Sequence, residues 1–125
     1  MRNLVMDNNN MNGTLSDNPQ SLLQLRKLDL LNQAANGGFT GSIPVGLSDR
    51  LDPTHLNLAT NRLAQNIPPD IGILPKIQAL NLSTNEFEGS IPSELGKLEG
   101  MCFFLIPKLF DHYPHNPTLT YFYSL

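Results

Sequence analysis

The side chains of this sequence that bind metals most readily lie together near its C-terminal end. Asp111, His112 and His115 form a D-H-x-x-H cluster. A protein metal site needs three or four ligands, held in place by an ordered second shell of hydrogen bonds. The cluster offers two histidines and one carboxylate in a segment rich in proline. We therefore expect neither a metal nor any other cofactor in this chain.

Nucleophilic chemistry has one candidate thiol. Cys102 is the only cysteine, so a disulfide within the chain is excluded. A reactive thiolate needs a base or a positive charge beside it, and no histidine or other base partner is visible for Cys102. We interpret Cys102 as structural, and we expect the chain not to be an enzyme.

Two segments match the N-x-S/T signal for N-linked glycosylation: N-G-T at Asn12 and N-L-S at Asn81. If the chain is secreted, Asn12 and Asn81 are candidate glycan acceptors. The alternative is that the signal at Asn81 arises from a repeated pattern and carries no glycan, since asparagine is abundant here. A glycan on Asn81 would block part of the surface on which that residue lies.

The elements that position these residues recur with a period of about 24 residues, a size typical of stacked repeats. Ile-Pro dipeptides begin at positions 43, 67 and 91, and segments 56–68 and 80–92 both read L-x-L-x-x-N-x-(L/F)-x-x-x-I-P. A fixed period indicates a chain built by stacking one unit. We call this period the repeat frame.

The repeat frame divides the chain into repeats and a tail. Phe39, Gly41 and Ile43 lie four positions later than the frame of Met11, Gly13 and Leu15 predicts, so the second repeat carries an insertion of that length within positions 31–38. The predicted repeat units are about 4–27, 28–55 with this insertion, 56–79, 80–103 and a partial unit at 104–106. The repeats would thus occupy positions 1–106, and a non-repeat tail would occupy positions 107–125.

Each repeat predicts the same series of local structures. The L-x-L segment alternates inward and outward residues, as does a short strand with one buried face. Strands at equal spacing in successive repeats must run parallel. The asparagine after each strand (Asn9, Asn61, Asn85) is expected to bond backbone groups that the bend buries, forming a ladder. The I-x-x-L-x-x-I spacing that follows predicts a 3₁₀-like back wall.

The tail leaves two interpretations open. After position 107 the repeat frame is lost, and the sequence KLFDHYPHNPTLTYFYSL shows no repeat. We favour a disordered tail. The alternative is a cap that covers the last strand with Phe110, Tyr113, Tyr121 and Phe122. Without a cap, the segment 101–106 would form an edge strand liable to aggregate.

The repeated pattern resembles the plant-type leucine-rich repeat, most plainly in GSIPSELGKL at 89–98 and NIPPDIGILPKI at 66–77. The resemblance implies an α/β-type leucine-rich repeat solenoid of about four and a half repeats. Its fold would be a short right-handed curved coil with parallel strands on the concave face and an irregular or 3₁₀ back. Such repeats form the ectodomains of receptor-like kinases and receptor-like proteins, which bind peptides, small hormones or other proteins.

A binding patch is predicted on the concave face, where residues between and after the strand leucines point to solvent. Those residues are Val5, Asp7, Asn8, Asp29, Leu31, Asn57, Ala59, Thr60, Asn81, Ser83 and Thr84, with Lys27, His55 and Ala79 just before the strands. We centre the patch for a protein or peptide ligand on Lys27, Asp29, His55, Asn57 and Asn81. The alternative is that this face is polar only because it is exposed to solvent. The absence of the Trp, Tyr and Arg residues typical of binding hot spots favours this alternative.

Composition limits the partners and the location. A net charge of −3 and a pI near 5.4 argue against a nucleic-acid or acidic-membrane partner. The sequence has no apolar run long enough to span a membrane and no recognisable signal peptide. We expect a fragment of a receptor-like ectodomain, extracellular or membrane-associated only through a longer parent. The alternatives are a truncated product without independent function and the regulatory region of a parent receptor kinase.

Overall fold

The computed structural model describes residues 3–6, 11–15, 27–31, 37–45, 53–98, 103–107 and 121–124. For Lys27 and the last two ranges the description is of the backbone. Two groups considered in the sequence lie outside the described residues: the D-H-x-x-H cluster of Asp111, His112 and His115, and Cys102. Within the described ranges, no helix is long and apolar enough to cross a membrane.

A six-stranded parallel sheet, the main sheet, contains one strand from each predicted repeat and a last strand from beyond the repeats. Its strands are β1 (Asn3–Val5), β3 (Lys27–Asp29), β5 (His55–Asn57), β7 (Ala79–Asn81), β9 (Phe103–Pro107) and β10 (Tyr121–Ser124), in that spatial order. Leu4 pairs with Leu28, Leu28 with Leu56, and Leu56 with Leu80. Every L-x-L segment therefore occupies equivalent positions, and the predicted parallel arrangement is confirmed.

The register also shows where in the second coil the four-residue insertion lies. The step from Leu28 to its partner Leu56 is four positions longer than the step from Leu4 to Leu28 or from Leu56 to Leu80. Leu30 is still in frame, because its N–H donates to the Asn57 carbonyl as Leu58 donates to Asn81. The insertion therefore lies between Leu30 and Phe39. The bounds of the repeat units and of the tail stay predictions.

A second, shorter set of parallel strands runs beside the main sheet, and the sequence did not predict it. Its strands are β2 (Gly13–Thr14), β4 (Phe39–Thr40), β6 (Ala64–Asn66) and β8 (Glu86–Glu88). β2 pairs with β4 and β6 with β8. The Arg62 N–H donates to the Phe39 carbonyl at 2.9 Å, and the Ala64 N–H donates to the Gly41 carbonyl at 2.8 Å. These bonds join the two pairs across the middle of the molecule.

The back wall of the described coils consists of 3₁₀ turns, as predicted. Two 3₁₀ helices span Pro69–Ile73 and Ser93–Lys97, at equivalent places of successive repeats, and each begins just after an Ile-Pro dipeptide. They pack so closely that a Cβ atom on Gly72 would overlap the backbone of Glu94. Glycine is therefore required at position 72 by close approach of the neighbouring coil.

Between the strands and the back wall lies one continuous apolar core. Burying each such side chain contributes about 1.5–3 kcal/mol. The core residues are Leu28, Leu30, Phe39, Ile43, Leu56, Leu58, Leu63, Ile67, Ile71, Leu74, Ile77, Leu80, Leu82, Phe87, Ile91, Leu95 and Leu98. Leu4, Met6, Met11 and Leu15 pack against this core and are only partly buried, so the first coil is less enclosed than those that follow.

The predicted asparagine ladder is present in the third and fourth coils. The buried Asn61 amide donates to the carbonyls of Leu30, Leu58 and Ala59 at 2.9–3.2 Å. Its Oδ1 accepts the Phe39 N–H at 3.1 Å. Each such side chain therefore satisfies groups in its own coil and in the preceding one. Asn9, the predicted member of the ladder in the first coil, lies outside the described residues.

Asn85 repeats this arrangement one coil later. Its amide nitrogen donates to the Leu58, Leu82 and Ser83 carbonyls, and its Oδ1 accepts the Leu63 N–H at 3.0 Å. Because the bonds of Asn61 and Asn85 match position for position, the ladder belongs to the repeat and not to one coil.

The last described residues correct the favoured interpretation of the tail. β10 pairs in parallel with β9, with Tyr121 opposite Phe104 and Tyr123 opposite Ile106. These residues are thus a sixth strand of the main sheet and not a disordered end. For these four residues the interpretation was wrong, because the Y-F-Y-S segment follows β9 at an interval shorter than one repeat and so lies outside the repeat frame.

Candidate binding surface

The face of the main sheet opposite the buried leucines carries two rows of residues, which we call the open face. Side chains alternate between the two faces of a strand. The first row runs across the strands through Asn3, Lys27, His55, Ala79 and Phe103. The second row runs through Val5, Asp29, Asn57, Asn81 and Leu105.

The five residues predicted to bind a ligand occupy adjacent places in these rows. Lys27 pairs with His55 on the neighbouring strand, and Asp29, Asn57 and Asn81 pair in succession across three strands. Neighbouring strands are about 4.8 Å apart. The fold therefore gathers residues that are far apart in sequence, from Lys27 to Asn81, onto one patch.

The second row has an intramolecular role that the sequence did not reveal. The Oδ1 atoms of Asp29, Asn57 and Asn81 accept the backbone N–H two residues further on, at 3.3, 3.2 and 3.2 Å. Such Asx turns give the backbone an alternative to the sheet ladder. Each of these side chains therefore ends its own strand at the same place.

Further bonds tie the second row together. The Asn57 Nδ2 donates to the Asp29 Oδ1 at 3.0 Å, between two neighbouring strands. The Ser83 hydroxyl donates to the Asn81 Oδ1 at 2.8 Å. The row is therefore a set of oriented polar groups rather than freely rotating side chains.

The first row is simpler. His55 is exposed, and its Nδ1 lies 2.9 Å from the Thr54 hydroxyl. Ala79, on the next strand, is half-buried. The imidazole is thus the largest described polar side chain of this row, beside a position where the neighbouring side chain is a single methyl group.

Two residues expected on this face are buried. Ala59 is 2% exposed and Ser83 is 7% exposed. Both follow the end of their strand, where the alternation of faces no longer applies and the backbone turns toward the core. The turn continues through Thr60 and Thr84, which have positive φ values of 56° and 53°. Asp7 and Asn8 lie outside the described residues.

The register extends the open face beyond the predicted patch. Phe103 and Leu105 occupy the places of Ala79 and Asn81 on the next strand, and Phe122 pairs with Leu105 on β10. The repeat frame already relates Ala79 to Phe103 and Asn81 to Leu105, so the sequence contained this signal. Three apolar residues thus continue a polar patch.

The candidate glycan acceptors differ in their surroundings. Asn12 is exposed beside β2, while Asn81 is half-buried in the middle of the main sheet. Among the residues that the structure describes, no group of three His, Cys, Asp or Glu side chains is placed to hold a metal ion.

Known proteins resemble this chain in sequence and in fold. The family model of the Leucine Rich Repeat matches residues 76–98. The BIR2 ectodomain from Arabidopsis thaliana matches with a TM-score of 0.75 and 29% identity, over 85% of this chain and 54% of that chain. A search of curated proteins found no match.

Two complexes from the same plant also contain similar chains. The structure of the Arabidopsis receptor kinase HAESA with the peptide hormone IDA and the co-receptor SERK1 matches with a TM-score of 0.79 and 32% identity, over 91% of this chain and 19% of that chain. The BIR3–SERK2 complex from Arabidopsis thaliana matches with a TM-score of 0.71 and 27% identity, over 83% and 57%.

These matches show that the chain has the leucine-rich repeat fold. Its repeats are of the plant type, as in the ectodomains of plant receptor-like kinases, and the predicted solenoid is confirmed. The chain spans about half the length of the matched chains of BIR2 and of the BIR3–SERK2 complex, and about a fifth of the chain matched in the HAESA complex.

Proposed function

We propose that this chain is a non-enzymatic binding module that recognises a protein or peptide on the open face of its main sheet. The proposed surface is centred on Lys27, Asp29, His55, Asn57 and Asn81. The observation that supports it is their register, which brings all five side-chain positions onto three neighbouring strands. The solved relatives include a receptor kinase in complex with a peptide hormone.

Recognition would use a rigid surface. The Asx turns at Asp29, Asn57 and Asn81 orient the second row before a ligand arrives, and a pre-organised surface loses less entropy on binding. The register places two apolar residue types, Phe103 and Leu105, at the next positions of the two rows. Aromatic residues are enriched in interface hot spots, so we extend the proposed surface to this strand.

The second candidate is a chain without a partner, as a truncated product or as the regulatory region of a longer receptor kinase. The same Asx turns favour it. Asn57 uses both ends of its amide within the molecule, for the Ala59 N–H and for Asp29. Polar side chains that already bond within the molecule need no ligand to explain their presence.

A displayed library of random peptides distinguishes the two candidates. We expect selected peptides to lose about tenfold or more in affinity, about 1.4 kcal/mol, on the His55→Ala or Lys27→Ala chain. The matched control is Lys97→Ala, since Lys97 is exposed in the second 3₁₀ helix on the back wall. Peptides that bind the wild-type chain and all three variants equally, or a library that yields no binder, would overturn the proposal.

A further inference from the structure

We propose that Asn81 is an acceptor for an N-linked glycan, and that this glycan closes the open face. The first half concerns chemistry at one atom, the Asn81 Nδ2. The second half rests on the proposed function, because it concerns access to the proposed binding surface. A chain glycosylated at Asn81 would thus be unable to bind a ligand on its open face.

Within the glycosylation signal at Asn81, the side chain of Asn81 bonds to Ser83, another residue of the signal. The carboxamide Oδ1 accepts the Ser83 N–H at 3.2 Å and the Ser83 hydroxyl at 2.8 Å. Ser83 is also the residue that completes the N-L-S signal. These two bonds to the oxygen orient the carboxamide. Neither bond involves its nitrogen, Nδ2.

The nitrogen of this carboxamide has no acceptor among the residues that the structure describes. A donor deprived of both protein and water is costly. Asn81 is half-buried on the open face, where a polar group can bond to solvent. Its acceptor atom for a glycan is therefore not engaged by any described residue.

Three other described asparagines, Asn57, Asn61 and Asn85, use their nitrogens within the molecule. The Asn57 Nδ2 bonds the Asp29 carboxylate, and the nitrogens of Asn61 and Asn85 each donate to three carbonyls. Replacing one hydrogen on any of these nitrogens would remove or crowd a bond. At Asn81 the same replacement removes no protein hydrogen bond.

The modification itself is a glycosyl transfer from a lipid-linked oligosaccharide diphosphate. The Nδ2 forms a bond to the anomeric carbon, the bond from that carbon to the diphosphate oxygen breaks, and the diphosphate leaves with the electron pair. The nitrogen loses one proton to a base of the transferring enzyme. This chain contributes only the acceptor and its orientation.

A sugar on Asn81 would stand at the centre of the proposed surface. Asn57 and Leu105 pair with Asn81 on the two flanking strands, each about 4.8 Å away. An oligosaccharide is far wider than this spacing, so it would cover both the polar patch and the adjoining apolar positions. Asn12 lies beside β2, outside the main sheet, and a glycan there would leave the open face accessible.

The test uses the full chain behind a cleavable secretion signal in insect cells, with glycan occupancy measured by peptide mass spectrometry. Asn81→Asp is the informative variant, because the equivalent Asp29 ends its strand with the same Asx turn. Asn12→Asp is the matched control. We expect Asn81 to be occupied in the secreted wild-type chain and the glycan to be lost in Asn81→Asp. An unmodified Asn81 in the secreted chain, whether or not Asn12 carries a glycan, would overturn the acceptor assignment.

Regulation is measured separately, with a display-selected peptide on the chain before and after peptide N-glycosidase treatment. We expect at least tenfold tighter binding after the glycan is removed, and no such change in Asn81→Asp. Equal binding to an occupied and a treated chain would overturn the closing of the face while leaving the acceptor assignment in place. A peptide that binds neither form would overturn the closing of the face together with the proposed function, and the occupancy result would still stand alone.

Discussion

Two asparagines of the third coil, Asn57 at the end of β5 and Asn61 four residues later, show how differently one side chain is used on the open face and in the core. Asn61 is 5% exposed and bonds the preceding coil through the Leu30 carbonyl and the Phe39 N–H. Asn57 lies half-buried on the open face, where its Oδ1 bonds the nearby Ala59 N–H. The buried amide joins backbones of two coils, whereas the surface amide shapes one turn and positions a neighbouring side chain.

This difference teaches which positions of the repeat are free to change. A buried amide with four backbone partners has no substitute of the same shape, since every lost bond leaves a buried group unsatisfied. A half-exposed amide can be replaced at lower cost because water takes over its bonds. The core side therefore defines the coil, and the open face is available for specificity.

The substitution Asn61→Ala should have the largest effect. It leaves the Phe39 N–H and three carbonyls without their partner inside the core, so we expect a loss of about 3 kcal/mol or more in the free energy of unfolding. Asn57→Ala is the matched control, with an expected loss of about 1 kcal/mol. Denaturant unfolding of both chains checks the difference, and equal losses would contradict the distinction.

The substitution Gly72→Ala should come next, on the back wall. The added methyl group would overlap the Glu94 backbone, and overpacking of this kind costs about 1–3 kcal/mol. Ile73→Ala is the control, because Ile73 is exposed in the same 3₁₀ helix. Thermal unfolding should show a clear loss for the first chain and a small one for the second. A neutral Gly72→Ala would mean that the two helices do not pack closely.

The substitution Gln65→Gly should raise stability. Gln65 has a φ of 65°, where the equivalent residues Gly41 and Gly89 have φ values of 77° and 78°. The left-handed conformation costs a non-glycine residue about 1–2 kcal/mol, and part of this is offset by the greater freedom of glycine in the unfolded chain. We expect a net gain of about 0.5–1 kcal/mol. Ala64→Gly, one residue earlier in the same strand, should lose stability instead, and a loss in both variants would contradict the strain.

The smallest effect is expected at the surface ion pair between coils. The Arg62 Nε lies 3.0 Å from the Glu86 Oε1, and the two side chains are 55% and 56% exposed. Exposed pairs contribute about 0.2–1 kcal/mol and weaken with salt. A double-mutant cycle with Arg62→Ala and Glu86→Ala at low and high salt measures the coupling. A coupling that does not change with salt would contradict a simple surface pair.

The sequence predicted those parts of the fold that the repeat frame contains in every coil. The L-x-L strands, the 3₁₀ back wall and the ladder of Asn61 and Asn85 each follow from apolar spacing or from a recurring polar residue. The second set of strands was not predicted because each strand is only two or three residues long. Their residues include Gly13, Gln65 and Asn66, which give no alternating apolar signal.

The candidate surface was predicted less completely than the core. The frame placed Asp29, Asn57 and Asn81 on the strands and Lys27 and His55 just before them, whereas in the structure Lys27 and His55 are the first residues of β3 and β5. The register brings all five positions together. It did not indicate that the second row bonds its own backbone, since an Asx turn depends on how a strand ends and not on spacing. The ligand-binding role of these residues stays a prediction.

Hydrogen exchange at single backbone amides tests the central claim most directly, namely that the buried asparagine bonds the backbones of two coils and the surface asparagine bonds the backbone of one. In Asn61→Ala the Phe39 amide, which the Asn61 side chain reaches in the preceding coil, should exchange much faster than in the wild-type chain. In Asn57→Ala the change should be confined to the Ala59 amide. An unchanged rate at Phe39 in Asn61→Ala, or equal acceleration at Phe39 in both variants, would contradict the account.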